Sequence, residues 1–375
     1  MKELADRPDR PAKWRAMETL GAQDIVPILA HYRLGDLERC QHIRRGYVNE
    51  KWLVETTEGR YLLKCRHPSL SEPRLVDAQH ALMGHLRAVG FPVPALISTR
   101  CSTSFLEVQG EVYEVQEYLA GAPCDLTKPV HLATAARTLG WYHDAVRGFD
   151  SQALHRPTER YGSQALGQII QRLMQSWRGR TTAQLDLLIG ELQGHAGDLK
   201  ARFREFGQLP DLLIHGDYYA DNLIFQGDRV VGVIDFDLAH WCWRAMEVAE
   251  VLLAFATERC RRFESIVYRG VLDLDVVHQF LAAYAETAEL SEAEIRALPH
   301  LIRTIWLCAS LDPPLEPLLS LERAPQALPE ILALAGWAKA HAADIVEAGL
   351  EVQRNLKSDK AANKAWITRG RSNDS

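Results

Sequence analysis

The sequence predicts an α+β protein of two lobes, a small antiparallel β-rich lobe with one helix and a larger, mainly helical lobe. Short runs rich in apolar, β-branched and aromatic residues, separated by turn signals, predominate between residues 37 and 119. After about residue 128, apolar residues recur instead at helical spacing in one segment after another. The linker-like stretch Ala120-Gly121-Ala122-Pro123 separates the two patterns and predicts a hinge.

The two ends of the chain are predicted to lie outside these lobes. Residues 1–34 are assigned to an N-terminal arm, polar and loosely ordered at first, in which Asp24 to His31 could form a short helix. The small lobe is assigned to residues 35–119 and the helical lobe to residues 120–356. Residues 357–375 are polar and are predicted to form a disordered tail.

Three strands are predicted at the start of the small lobe, at Ile43 to Val48, Trp52 to Glu55 and Tyr61 to Cys65. Gly46 and Asn49 lie at the first turn, in Arg-Arg-Gly-Tyr-Val-Asn. A glycine there lets the backbone approach a phosphate closely, and backbone N–H groups can then cradle it. An ordinary hairpin turn is the alternative interpretation of the same residues.

A lysine in an apolar strand is the second signal in this lobe. Lys64 lies in Tyr-Leu-Leu-Lys-Cys, where an ammonium group is costly to bury unless it meets an anion. It either reaches solvent from an edge strand or contacts the α and β phosphates of a nucleotide, which we favour. The helix predicted at Pro73 to Val89 offers Asp77, Glu72 and the neutral Gln79 as partners for this lysine.

The remaining elements follow from the same two patterns. Further strands are predicted at Leu96 to Thr99, Ser104 to Gln109 and Glu111 to Leu119. Backbone groups at Glu117, Tyr118 and Leu119 could pair with adenine at the predicted hinge. Amphipathic helices are predicted at His131 to Val146, Tyr161 to Trp177, Ala183 to Phe206, Arg244 to Thr257, Asp275 to Ala285, Ser291 to Cys308 and Gln326 to about Lys357.

The stretch from Asp211 to Asp237 carries the chemistry. It contains His215, Asp217 and Asn222 in the pattern H-x-D-x-x-x-x-N, and Asp235 follows at the end of an apolar run. A predicted hairpin, Asn222 to Phe225 and Val230 to Ile234, would bring Asp235 beside Asn222 to share a magnesium ion. Asp217 is then free to orient a hydroxyl, while His215 supports the loop, so the pattern predicts an ATP-dependent phosphotransferase.

These motifs resemble one family. His-Gly-Asp-Tyr-Tyr-Ala-Asp-Asn followed by Val-Ile-Asp-Phe-Asp is similar to the superfamily of aminoglycoside phosphotransferases, choline kinases and type II homoserine kinases. The resemblance covers roughly residues 35 to 310 and implies a protein-kinase-like fold with ATP and Mg²⁺ as cofactors. In the catalytic stretch, the resemblance implies that Asp217 is the catalytic base and that Asn222 and Asp235 are metal ligands. In the small lobe, it implies that Gly46 and Asn49 belong to the phosphate loop and that Lys64 is the nucleotide lysine. It also implies an adenine pocket lined by Glu117, Tyr118 and Leu119. The chain departs from the pattern at Gln79, which stands where the resemblance implies an acid.

A small acceptor is favoured over a protein substrate. Gly216 replaces the arginine that pairs with a phosphorylated segment in many protein kinases. Asp235 is followed within about nine residues by the helix predicted at Arg244, which leaves little room for a peptide platform. A Ser/Thr protein kinase of the same fold and a non-catalytic nucleotide-binding protein remain the alternatives.

The acceptor pocket is predicted around Asp237, Trp241 and Arg244. A carboxylate beside tryptophan rings can hold a cationic amine by charge and by cation–π contact. The acceptors considered are an amino alcohol, an amino acid or an aminoglycoside-like molecule. The alternatives are that Trp241 and Trp243 pack between helices and that Arg244 pairs with Glu247.

Composition excludes several other classes of protein. The net charge of −6 predicts no nucleic-acid partner, and no apolar run is long enough to predict a membrane span. The seven cysteines are scattered without a C-x-x-C pair, and the N-terminal residues do not resemble a signal peptide. Together these features predict a cytoplasmic protein with reduced thiols.

Overall fold

The structure is a computed structural model that describes residues 22–43, 48–155, 161–257, 271–312 and 318–372. The chain divides into two compact units. The first comprises residues up to Gly121 together with the returning segments Ser151–Leu154 and Val231–Asp237. The second comprises the rest, and the boundary near residue 121 lies close to the hinge predicted from the sequence.

The first unit is built on a five-stranded antiparallel sheet. The strands follow the order β1-β2-β3-β5-β4. Its elements are α1 (Ala22–Leu29), β1 (Leu37–Ile43), β2 (Glu50–Thr56), β3 (Gly59–Cys65), α2 (Pro73–Ala88), β4 (Leu106–Val108) and β5 (Glu111–Glu117). Helix α2 starts with Pro73 and with the Glu72 carboxylate accepting the N–H of Leu75, which satisfies a free donor of the first turn.

The two faces of this sheet differ in polarity because side chains alternate along each strand. One face is apolar and packs with α1 into a core of Ile25, Ile28, Leu29, Tyr32, Leu34, Trp52, Val54, Leu63, Cys65, Tyr113 and Val115. The intervening positions on the central strands, Lys51, Lys64 and Glu114, therefore point to the other face. Residues 25–34 belong to this core, which corrects the prediction of a separate N-terminal arm up to residue 34.

The second unit is mainly helical, with small sheets at its start and centre. Its strands are β6 (Ala122–Pro123), β7 (Asp211–Ile214), β8 (Leu223–Gln226), β9 (Arg229–Val233) and β10 (His240–Trp243). The orders are β6-β8-β9 and β10-β7, and the division between the units falls inside β9. Its helices are α3 (Pro129–Ala145), α4 (Ser163–Trp177), α5 (Ala183–Glu205), α6 (Arg244–Ala256), α7 (Leu274–Ala285), α8 (Glu292–Leu311), α9 (Ala324–Ala340) and α10 (Ala342–Ser372).

Helix α6 is the centre of the second unit. Every residue from Arg244 to Ala256 is buried, and the helix packs against α7 and α8. Helices α3 and α7 pack together, and α10 lies along α7 and α8. Such an all-round burial is typical of a central helix in a large helical domain.

The predicted α+β class is confirmed, with differences in individual elements. The first strand runs over Leu37–Ile43, earlier than predicted, and residues 44–47 of the predicted strand lie outside the described residues. Leu96 forms a single bridge to Gln116 instead of starting a strand. The last predicted helix is two helices, and α10 continues to Ser372 through most of the segment predicted as a disordered tail.

Within the described residues, none of the helices is both long and apolar enough to cross a membrane.

Candidate active site

Three charged side chains stand in a row on the polar face of the first unit's sheet. Lys64 on β3 lies directly opposite Lys51 on β2 and directly opposite Glu114 on β5. Residues paired in this way on antiparallel strands project to the same face, with Cβ atoms about 4.5–5.5 Å apart. Strand register alone therefore brings these three charges together.

The ammonium group of Lys64 is enclosed by carboxylates. Its Nζ lies 2.7 Å from Asp237, 3.2 Å from Asp235 and 3.5 Å from Glu114. Lys64 is only 2 % exposed. Burial by itself lowers the pKa of Lys64, but the three facing carboxylates outweigh it and the pKa is raised, so the side chain stays charged.

Arg66, two residues after Lys64 and just beyond the end of β3, extends the cluster. Its Nε donates to Glu114 Oε2 over 2.6 Å, and its Nη2 lies 3.0 Å from Asp237 Oδ1. Burial opposes ionisation of Glu114, yet Arg66, Lys64 and His80 together hold the pKa of its carboxyl well below the usual range. The result is a buried cluster in which positive and negative groups are paired. Such pairing is needed because removing an unpaired charge from water costs several kcal/mol.

Asp235 combines a charged contact with a strained backbone. Its φ is +70°, one of three positive values among the non-glycine residues described. Its carboxylate accepts from Lys51 over 2.9 Å and from Lys64 over 3.2 Å, and 18 % of its side chain is exposed. Burial raises the pKa of this carboxyl, but the two lysines lower it overall. A strained, ionised and partly exposed acid is typical of a functional position.

Three predicted residues have other contacts than expected. The Gln79 amide accepts from Arg66 Nη1 over 2.6 Å and donates to the carbonyl of Asp237, which corrects the prediction that it could bond Lys64. Asp237 is buried against Lys64, Arg66 and Asn49 and anchors this cluster, and its role as an acceptor ligand stays a prediction. The Asn49 side chain donates to Asp237 over 2.5 Å and accepts from the N–H of His67.

Other nucleotide contacts predicted from the sequence stay predictions. Gly46 lies outside the described residues. The N–H of Glu117 donates to the Ala95 carbonyl over 2.8 Å, and that of Tyr118 donates to the Arg60 carbonyl over 3.3 Å. Both donors are thus used within the first unit, and contact with adenine would have to come from Leu119 or from carbonyl groups.

In the second unit, the loop after β7 presents Asp217 and Asn222 together. The Asn222 amide nitrogen donates both to the Asp217 carboxylate and to its carbonyl, each over 2.8 Å. With its two hydrogens used, the amide has its oxygen as the atom that can coordinate a cation. Asp217 itself is only partly buried, whereas His215 is fully buried and accepts the Asp217 N–H through Nδ1. This hydrogen bond joins His215 to the loop, and the supporting role of His215 stays a prediction.

The backbone of this loop is fixed by Gly216 and by helix α6. Gly216 has a φ of +74°, and a Cβ here would lie 2.4 Å from the Leu238 carbonyl oxygen. Its N–H donates to Glu247 Oε1 over 2.8 Å, and Glu247 Oε2 lies 2.8 Å from His143 Nε2. His143 in turn bonds the Tyr284 hydroxyl, so a buried chain of side chains ties the loop to α3 and α7.

The predicted acceptor residues of the second unit divide into two kinds. Arg244 is buried and makes a bidentate pair with Glu294 on α8, which corrects the pairing with Glu247. A substrate role for Arg244 stays a prediction. Trp241 lies on β10, paired with Leu213, and stacks on His155 with ring centroids 5.2 Å apart. Its buried indole Nε1 has no hydrogen-bond partner among the described residues, so it is a donor that a ligand could use.

Asp235 lies in the first unit and Asn222 in the second. Their pairing as metal ligands stays a prediction.

Sequence reasoning missed three members of these networks, namely Arg66, Glu114 and His143, and it gave Glu247 the wrong partner. Glu114 had a detectable signal, because Glu111-Val-Tyr-Glu-Val-Gln-Glu117 places charged and amide side chains in a strand buried almost throughout. Glu247 is likewise a buried acid in a mainly apolar central helix, as is Glu250.

An antiparallel sheet with two helices, joined to a helical unit that carries a His-Gly-Asp loop, defines the class of kinase-like phosphotransferases. The chain belongs to the phosphotransferase enzyme family, whose sequence profile matches residues 39–301. It is accordingly a kinase, and its protein-kinase-like fold agrees with the prediction from the sequence.

Its relatives include enzymes named homoserine kinase. The homoserine kinase of Methylobacillus flagellatus is 28% identical over 298 residues, covering 77% of this chain and 84% of that protein. The homoserine kinase of Nitrobacter winogradskyi is 28% identical over 291 residues, covering 76% of this chain and 81% of that protein.

Solved structures share the fold. An aminoglycoside phosphotransferase from Alicyclobacillus acidocaldarius has a TM-score of 0.65 at 20% identity, covering 91% of this chain and 98% of that one. A microcompartment-associated aminopropanol kinase has a TM-score of 0.62 at 18% identity, covering 88% and 100% of the two chains. An amicoumacin kinase, solved in complex with AMP-PNP, Ca²⁺ and Ami, has a TM-score of 0.64 at 12% identity, covering 87% of this chain and 96% of that one.

Proposed function

We propose that this kinase uses ATP and Mg²⁺ to phosphorylate the hydroxyl group of a small acceptor that carries an amino group. The acceptor classes are an amino acid, an amino alcohol or an aminoglycoside-like molecule. The observation that carries the proposal is the loop around Asp217, whose carboxylate is held by Asn222 on a backbone tied down by Glu247. A partly exposed acid on a rigid loop suits a group that orients a hydroxyl and accepts its proton.

The residues present fit magnesium-bound ATP in the chemistry of their donors. Asp235 offers a carboxylate that stays ionised, and Asn222 offers an amide oxygen, both hard ligands of the kind Mg²⁺ prefers. Lys64 stays protonated and is the proposed contact to the α and β phosphates. When bound, Mg²⁺-ATP supplies the phosphoryl group and screens the charge that develops on it.

A small acceptor is supported by the shape of the loop. No side chain fits at position 216, so this chain cannot carry an arginine there to receive a phosphorylated segment. Strand β10 and helix α6 follow Asp235 closely and leave only a short connection. Homoserine is the first acceptor to test, because the relatives described above are named for it.

The testing experiment is an ADP-release assay with ATP, Mg²⁺ and a panel of acceptors. The panel holds homoserine, choline, ethanolamine, 1-amino-2-propanol and an aminoglycoside. ADP release that depends on one class of acceptor, with the phosphorylated product seen by mass spectrometry, is the expected result. Turnover with none of them would favour a non-catalytic nucleotide-binding protein, and transfer to protein alone would favour a Ser/Thr protein kinase.

A further inference from the structure

We infer that Glu114, on strand β5, is the positioning residue for Lys64, in the role that the family resemblance assigned to an acid on helix α2. The inference rests on the proposed function, because it concerns how Lys64 is held for the nucleotide phosphates. Glu114 lies outside the motifs that were recognised in the sequence.

The register of the sheet places Glu114 beside Lys64. Glu114 and Lys64 are direct cross-strand partners, and the Glu114 Oε1 to Lys64 Nζ distance is 3.5 Å. Both lie on strands with sheet neighbours on either side, β3 between β2 and β5 and β5 between β3 and β4. The spacing of this pair is therefore set by backbone hydrogen bonds and does not depend on where a helix docks.

The Glu114 carboxylate is held in place by hydrogen bonds to both of its oxygens. Glu114 is 0 % exposed. Oε1 accepts from Gln116 Nε2 over 2.7 Å, and Oε2 accepts from Arg66 Nε over 2.6 Å and faces His80 Nε2 at 2.9 Å. A carboxylate held on both oxygens is a fixed negative charge beside Lys64.

The charges of the cluster are balanced. Apart from His80, which faces Glu114 and is charged only when protonated, its cations are Lys51, Lys64 and Arg66, and its carboxylates are Glu114, Asp235 and Asp237. These three positive charges and three negative charges cancel, so a further acid on α2 would leave a buried charge without compensation.

The residue at position 79 agrees with this account. Gln79 is fully buried and neutral, and its amide oxygen accepts from Arg66 Nη1 over 2.6 Å. It occupies the position facing the cluster but adds no charge. The acid that the resemblance implies on helix α2 is thus replaced by an acid on strand β5, and Arg66 contacts the side chains at both positions.

The exchange of the two side chains tests the inference. Steady-state kinetics with ATP would be measured for Glu114→Gln, Gln79→Glu and the double variant, each with its melting temperature. We expect Glu114→Gln to lower kcat by about 10- to 100-fold with a smaller change in the KM for ATP, since Lys64 loses a fixed charged partner. In that background, Gln79→Glu should raise kcat at least about tenfold because the charge is restored from the helix.

Glu111→Gln is the matched control. It makes the same change in the same strand, but three residues away, so its side chain lies on the opposite face of the sheet from Glu114. Wild-type kcat is expected. A purely structural role of Glu114 would lower the melting temperature and leave kcat per folded molecule unchanged.

An unchanged kcat in folded Glu114→Gln, or no gain from Gln79→Glu in that background, overturns the inference. If Glu114→Gln does not fold, Glu114→Asp is the deciding variant, because it keeps the negative charge but moves it away from Lys64 by the length of one methylene. A kcat lowered more than about threefold in Glu114→Asp supports the inference, and an unchanged kcat overturns it. Absence of turnover in the wild type would instead refute the proposed function, which separates the two failures.

Discussion

A single backbone position fixes the shape of the loop that carries Asp217. Gly216 combines a left-handed φ with a carbonyl oxygen where a Cβ would be. The His-Gly-Asp motif could be recognised in the sequence, but the reason for its glycine could not, because Leu238 is remote in sequence and meets the loop only after folding.

Gly216→Ala should therefore both destabilise the second unit and slow the reaction. We expect a loss of more than about 2 kcal/mol in the free energy of unfolding, from the left-handed φ and from the contact with Leu238. Urea unfolding measures it. The matched control is Gly227→Ala, which also has a positive φ but meets no atom within 4 Å. An equal loss in both variants would contradict the role of the Leu238 carbonyl.

Asp217→Ala should abolish turnover and leave nucleotide binding largely intact. A positioned acid–base group contributes about 10²- to 10⁴-fold to the rate, so kcat should fall by that factor. Calorimetry should give a Kd for Mg²⁺-ATP close to that of the wild type. Asp228→Ala, in the exposed turn between β8 and β9, is the control and should retain activity. Near-normal turnover of Asp217→Ala would refute the proposed base.

At the scale of elements, a buried ion pair joins helices α6 and α8. Arg244 binds Glu294, and Glu294 also completes the capping box of α8 with Ser291. Arg244→Met leaves that carboxylate buried without its partner and should cost about 3–5 kcal/mol of stability. Adding Glu294→Gln, which keeps the capping box, should recover a large part of the loss.

Urea unfolding of the single and double variants measures this prediction. Arg296→Met is the control on the same helix, because its pair with Glu292 is exposed and should be worth no more than about 1 kcal/mol. Equal losses for Arg244→Met and Arg296→Met would contradict the prediction. So would a double variant that is less stable than Arg244→Met.

Hydrophobic periodicity predicted most helices to within a few residues. It could not separate α9 from α10, because the break at His341 is a single residue and the apolar spacing continues across it. It also assigned His-Trp-Cys-Trp to no strand. Strand β10 exists because it pairs with β7, a contact between residues almost thirty positions apart in sequence.

At the scale of the whole molecule, buried histidines make stability depend on pH. Burial lowers the pKa of His143, His195 and His300, and for His300, beside Arg303 and Arg202, to about 4. In the unfolded chain these groups titrate near 6.5. As pH falls below that value, the unfolded state takes up protons that the folded state does not, so stability must decrease.

We expect the free energy of unfolding to fall steadily from pH 7 to pH 5, as measured by urea unfolding at several pH values. His300→Gln removes one of the groups responsible and should show a shallower decrease. A stability that is constant over this range, or that rises as the pH is lowered, would contradict the prediction.

The division into two units was visible in the sequence near residue 120, but its full extent was not. Residues 231–237 return to the first unit and bring Asp235 and Asp237 onto Lys64. The motif named both acids, yet only their three-dimensional contacts distinguish Asp235, with its strained and partly exposed backbone position, from the buried anchor Asp237.

The balanced charges around Lys64 also constrain how this sequence can change. Positions 79 and 114 both contact Arg66, so an acid can be carried by one of them or by the other. Any single step between the two arrangements passes through a chain with one acid too many or one too few. Related chains should therefore show these two positions exchanging acid and amide together, and the pair would serve to sort them into two lineages.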